Sequence, residues 1–159
     1  MNRKSGFESS HGPGTRTRSL MKHIKLGISG YEAEYQKWPV PESQRDYFAI
    51  LRGSVAKCLL GEKSEMNPKA IQLIEAERAD LPPSRNPRPG VMYDNLGEPW
   101  FLDEWGRPIY IGIDTNGDGK LAMPDGARDA PKYLPFGVAL FSTGPDGIPG
   151  NADDVTSWR

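Results

Sequence analysis

The chain has 159 residues, 36% hydrophobic and 26% charged, which is enough for one domain with a hydrophobic core and too little for two large ones. Its 20 Lys and Arg against 21 Asp and Glu exclude the broad positive field that nucleic-acid binding exploits, and no run approaches the roughly 18 apolar residues of a membrane span. Loops take a large share, because Gly numbers 18 and Pro 15, and the single cysteine, Cys58, leaves packing or metal to hold the fold in place of a disulfide.

Residues 1–17 hold Gly, Ser, Pro and Arg with little that can be buried and read as a disordered lead-in or an expression remnant, so the expected globular unit is 18–159. Leu20, Ile24, Ile28, Tyr31 and Tyr35 recur at helical spacing and predict a first helix that stops before Pro39 and Pro41. Ser43 with Asp46 three residues on, then Phe48, Leu51, Val55 and Leu59 with Gly61 as a stop, predict a second helix opened by an acidic capping box. Asn67, Pro68 and the Met66–Ile71 pair predict a short third helix fading by Asp80. Leu81–Pro89, with four prolines, can only be a connection.

Beyond it, Ile109, Ile111 and Ile113 alternate with Tyr110 and Gly112, and Val138–Ser142 forms a second apolar run; both read as strands of a small antiparallel sheet. Helices first and strands after give an α+β fold. Trp38, Trp100, Trp105 and Trp158 are expected to anchor its core.

Charge is unevenly spread. Lys and Arg cluster in the first twenty-five residues, whereas Asp146, Asp153 and Asp154 share the stretch from Pro135 with no base before Arg159. The loop Ser142–Asp154 is glycine-rich and closes on adjacent carboxylates. Calcium takes six to eight oxygen ligands, and such a loop offers Asp146, Asp153 and Asp154 together with backbone carbonyls. The plain alternative is a solvated turn that uses Asp and Gly for their backbone habits. A second acidic loop, Asp114–Asp125, places oxygens of Asp114, Asn116 and Asp118 at positions one, three and five, Gly119 at six, the Lys120 carbonyl at seven and Asp125 at twelve. That is an EF-hand-like or dockerin-like pattern, here preceded by a strand-like run and followed by Pro124; its plain alternative is a β-connection built on Asn-Gly and Asp-Gly turns.

Catalytic constellations are missing from the sequence: there is no Cys/His cluster, no phosphate-binding glycine loop and no nucleophile elbow. Asp103 and Glu104 sit in a turn before Trp105-Gly106 and read as structural. The expectation is a protein that is not an enzyme.

Taken in order, Tyr31-x-x-x-Tyr35-x-x-Trp38-Pro39, then Asp103-Glu104-Trp105-Gly106-Arg107-Pro108-Ile109-Tyr110, then the Ser-x-Gly-x-Asp-Gly loop closing on Asp-Asp and Trp158, resemble the major pseudopilins of type II secretion, from about Ser19 to Trp158. That resemblance implies the head of a type IV pilin-like filament subunit: the soluble part of a spine helix packed on short helices and a small antiparallel sheet. It implies calcium held by Asp146, Asp153, Asp154 and the Thr143 carbonyl, with other pilin subunits and secretion-system components as partners. In full-length relatives the head stands at the periplasmic face of the inner membrane or at the cell surface. Arg3–Phe7 looks like a prepilin peptidase site, but the apolar helix that should follow is not in the sequence. The expectation is therefore a trimmed or degenerate homologue, with membrane attachment only through an anchor this chain lacks. The alternative expectation is a calcium-dependent dockerin-like or adhesin-like binding module centred on the Asp114 loop.

Overall fold

The computed structural model describes residues 12, 14–40, 46–122 and 133–158. Its first element, α1 (Thr15–Tyr35), buries Thr17, Met21, Ile24, Gly27, Ile28 and Tyr31 along one face. The helix thus begins inside the segment expected as a lead-in, and Thr17 is buried because its hydroxyl accepts the backbone N–H of Glu104. Gly27 explains why the helix tolerates a poor helix former: a Cβ there would stand 2.5 Å from Ile74 Cγ1. The close approach of the 73–74 segment offsets the roughly 1 kcal/mol that glycine costs a helix.

The second predicted helix is corrected. Its first half is strand β1 (Tyr47–Ile50), and only Gly53–Leu59 is helical (α2); residues 41–45, with the expected cap Ser43, lie outside the described residues. The change of form falls where Gly53, the first residue of α2, takes φ +59, a left-handed turn that a strand cannot continue through. The third predicted helix is also replaced, by a turn and extended chain. Ala70 lies at φ +51, and Asn67 is buried as a hub. Its side chain donates to the Cys58 and Ile71 carbonyls and accepts from Ile71 N and the Tyr35 hydroxyl.

A hairpin unread in the sequence follows the proline-rich connection: β2 (Gly90–Tyr93) pairs antiparallel with β3 (Pro99–Leu102). The main sheet contains β1, β4 (Tyr110–Ile113), β7 (Val138–Ser142) and β8 (Val155–Thr156), in the order β1-β4-β7-β8, antiparallel at every pairing. A short pair, β5 (Leu121–Ala122) and β6 (Tyr133–Leu134), completes the fold. The coarse α+β expectation therefore holds, with one long helix and antiparallel sheets.

Register explains why β4 is buried on both sides. Ile109, Ile111 and Ile113 join Leu140 and Val155 against Met21, Ile24 and Ile28 of α1 in the main core; each such side chain stabilises the fold by about 1.5–3 kcal/mol. The other face carries Phe48, Tyr110 and Phe141, stacked at 4.8 to 6.4 Å between ring centroids. Gly112 lies in that row because a Cβ would meet the Phe48 ring at 2.7 Å. Leu121, Leu134 and Ala139 form a second cluster with Trp158 against it. Trp38 and Trp105 pack on the main core, while Trp100 lies under the Arg52 guanidinium.

Candidate metal centre

The antiparallel register of β1 and β4 pairs Tyr47 with Ile113, so the residues one step beyond, Asp46 and Asp114, are brought face to face at the end of the sheet. After Asp114 the chain turns through Gly117 and Gly119, at φ +68 and +71, and returns Asp118 to the same place. One carboxylate oxygen from each of Asp46, Asp114 and Asp118 lies within 4.8 Å of the others, and this is the only such group among the described residues.

Its members differ in environment. Asp114 is 4% exposed and organises the loop: Oδ1 accepts Gly117 N–H at 2.9 Å and Oδ2 accepts Gly119 N–H at 2.8 Å. Asp118 Oδ1 accepts Lys120 N–H at 2.8 Å, and Asn116 Oδ1 accepts Asp118 N–H at 3.1 Å. Asp46 Oδ1 is buried and has no hydrogen-bond partner among the described residues. Burial first, and then the charges of Asp118 and Asp114, push its carboxyl above the ordinary range. A divalent cation would remove that repulsion and give the buried oxygen a partner. The sequence placed Asp114, Asn116, Asp118 and the Lys120 carbonyl in one loop; Asp125, the expected twelfth-position ligand, lies outside the described residues.

The capping-box pattern puts Asp46 at the start of a helix, and only the pairing of β1 with β4 reveals its position. Nothing in the local sequence of Asp46 signals that it stands opposite Asp114.

The C-terminal loop is held differently. Its two limbs touch where Gly144, at φ +66, passes the Asp153 carbonyl so closely that a Cβ would lie 2.1 Å from that oxygen. β8 then pairs Phe141 with Thr156 and Ser142 with Val155, and Leu140 N–H is bonded to the Ser157 hydroxyl. Within the loop, Asp146 accepts Ile148 N–H at 2.8 Å and Asn151 Nδ2–H at 2.6 Å, and Asp154 Oδ2 accepts Gly150 N–H at 2.7 Å. Asp153 is exposed and Thr143 buried. The three carboxylates share one closed loop without coming within 4.8 Å of one another as a group.

Comparison of the chain with family models, with curated proteins and with solved structures yields no match.

Beside this loop, Asp103 is fully buried; its Oδ1 accepts Trp105 N–H and Arg107 N–H at 2.9 and 2.8 Å. Burial pushes its carboxyl up, against the opposing pull of the Arg107 N–H, the Ser142 hydroxyl and the Trp105 N–H. Ser142 and Asp103 Oδ2 influence one another without a well-formed hydrogen bond. Glu104 Oε1 accepts Gly14 N–H at 2.6 Å and so caps α1 from a distant turn. Asp103 thus holds its own turn together, and Glu104 joins that turn to α1. No described helix is long and apolar enough to cross a membrane.

Proposed function

We propose that this chain is the head of a pseudopilin-type filament subunit, a structural protein braced by calcium. The observation that carries the calcium reading is the meeting of Asp46, Asp114 and Asp118 at the end of the main sheet. Three carboxylates, with Asn116 and the Lys120 carbonyl nearby in the loop, form a hard-oxygen set suited to calcium. Asp146, Asp153, Asp154 and the Thr143 carbonyl form the second seat, where an ion would draw together three carboxylates of which Asp146 and Asp154 now turn toward the loop's own N–H groups. The filament half of the proposal rests on the ordered motifs from Tyr31 to Trp158, and a long helix packed on an antiparallel sheet supports it. Its partners are then other pilin subunits and secretion-system components, at the periplasmic face or cell surface.

Calcium acts here by linkage: binding to the folded state alone stabilises it by about 2.7 kcal/mol at a hundred times the dissociation constant. Thermal melting of the full chain in calcium and in chelator tests this. The expected result is a higher midpoint in calcium, and an unchanged midpoint would sink the reading. Asp118→Ala and Asp153→Ala, melted in parallel, assign the response to one seat or the other.

A second reading is favoured by the same convergence, because the better-assembled seat is the Asp114 loop: a calcium-dependent module that recognises a protein or glycan partner. It predicts that Asp118→Ala abolishes capture of that partner, whereas the filament reading makes Asp153→Ala the more damaging change to assembly.

A further inference from the structure

An open groove of about 530 Å³ runs beside α1, where Leu26 supplies exposed apolar surface over the buried Met21 and Arg18, Lys22 and Lys25 supply positive charge, with the end of β8 along its side. No acidic residue lines it among the described residues, and none occurs in α1 before Glu32. Leu26 is 69% exposed and is the apolar side chain that this cationic face presents to solvent. The opposite chemistry stands on the C-terminal loop. Ile148 is 60% exposed and lies between the exposed carboxylates Asp146 and Asp153, in a stretch with no base from Pro135 to Trp158.

The loop holds Ile148 in a fixed posture. Its N–H is bonded to Asp146 Oδ1. The neighbouring Gly147 lies against the Arg107 guanidinium, whose Cζ would be 2.8 Å from a Cβ, and Arg107 Nη2 donates to the Pro145 carbonyl. An apolar side chain presented on a loop already ordered loses little entropy on docking. Within one molecule the loop does not fill the groove: its base is closed at Gly144 and Asp153, and Ile148 is not among the groove's lining residues.

We infer that the groove beside α1 receives the C-terminal loop of a second copy of this chain, with Ile148 as the apolar anchor and Asp146 and Asp153 facing Lys22 and Lys25. A flat lipid surface would use the cations but not the concavity beside Leu26, whereas a single projecting side chain flanked by acids uses both. A divalent ion in the loop would lower its charge of three carboxylates without reversing the sign. The two patches are different surfaces, so the contact is heterologous and propagates head to tail unless the rotation happens to close a ring. In what it would build it rests on the filament reading; the contact itself does not depend on calcium.

Two variants of the full chain, Ile148→Cys and Leu26→Cys, are mixed under mild oxidation, with the wild type and its buried Cys58 as background. The expected product is a mixed disulfide dimer at least several-fold more abundant than either like-with-like dimer, and reduced to background when Lys22→Glu and Lys25→Glu are added to the Leu26→Cys chain. Absence of the mixed dimer, or dominance of a like-with-like dimer, overturns the inference. So does binding of the wild type to phosphatidylserine vesicles, lost on Lys22→Glu and Lys25→Glu, without any mixed dimer; that outcome assigns the groove to a membrane surface. A chain whose melting ignores calcium and that still yields the mixed dimer would remove the calcium reading and leave this contact standing.

Discussion

The Asp114 loop and the C-terminal loop are built from the same materials, glycines at positive φ and aspartates one to eight residues apart, and both hang from the main sheet. They nonetheless arrange their charges in opposite ways. At Asp114 the loop's N–H groups bind one carboxylate from both sides, and strand register adds a third acid, Asp46, from a part of the chain that has no choice about where it lies. In the C-terminal loop every carboxylate is local, and two of the three turn toward nearby N–H groups: Asp146 toward Ile148 and Asn151, Asp154 toward Gly150. Like charges converge where non-local pairing forces them together, and they separate where a local hydrogen bond offers an alternative.

The sharpest way to break this contrast is at the glycines. Gly144→Ala places a side chain against the Asp153 carbonyl at a positive φ, and should cost about 3 kcal/mol in urea unfolding. Gly117→Ala faces open space at φ +68 and should cost only the left-handed backbone penalty, about 1 kcal/mol. Equal costs would mean that the two loops are equally tolerant and the close approach at Gly144 unimportant.

Charge at the first loop comes next in size. Asp46→Asn should remove most of the calcium-induced stabilisation, up to about 2.7 kcal/mol at a hundredfold excess over the dissociation constant, as read from melting midpoints with and without chelator. In chelator the same variant should melt at or above the wild-type temperature, because it relieves the repulsion from Asp114 and Asp118.

The pH dependence sharpens the same point. Asp46 has a folded-state pKa raised above 3.8, so the folded protein holds this proton more tightly than the unfolded chain. Its contribution to metal-free stability is unfavourable above the folded pKa and is relieved as pH falls through that value toward 3.8. Asp103 is shifted in the same direction. The measurement is therefore the difference between wild type and Asp46→Asn, which should narrow as the pH is lowered through this window. The smallest effect belongs to Asp153→Ala: an exposed residue whose loss in chelator should change stability by no more than about 0.5 kcal/mol, measured by urea unfolding.

How much of this was legible beforehand varies with the range of the interactions involved. The stripe from Leu20 to Tyr35 specified α1 because helical periodicity is a local property, and the alternation at Ile109–Ile113 specified β4 for the same reason. Phe48, Leu51, Val55 and Leu59 fit a helical face equally well, yet the first of them lies in β1, paired with Gly112. A short apolar run cannot declare its period when an edge of a sheet is waiting for a partner. Asn67 gave a helix-cap signal and became instead a buried junction for Tyr35, Cys58 and Ile71. The same hydrogen-bonding capacity serves either role, and the surrounding chain chooses.

The sequence by itself determined the α+β class, the long first helix, the central strands and the two acidic glycine-rich loops, all features set by periodicity or by the backbone needs of neighbouring residues. Only the tertiary structure decided that Asp46 joins Asp114 and Asp118, that Gly144 must pass close to the Asp153 carbonyl, and that Ile148 stands exposed outside the lining of the cationic groove. Those facts depend on strand register and packing between residues far apart in the chain, and no local pattern of side chains encodes which distant partner will be opposite.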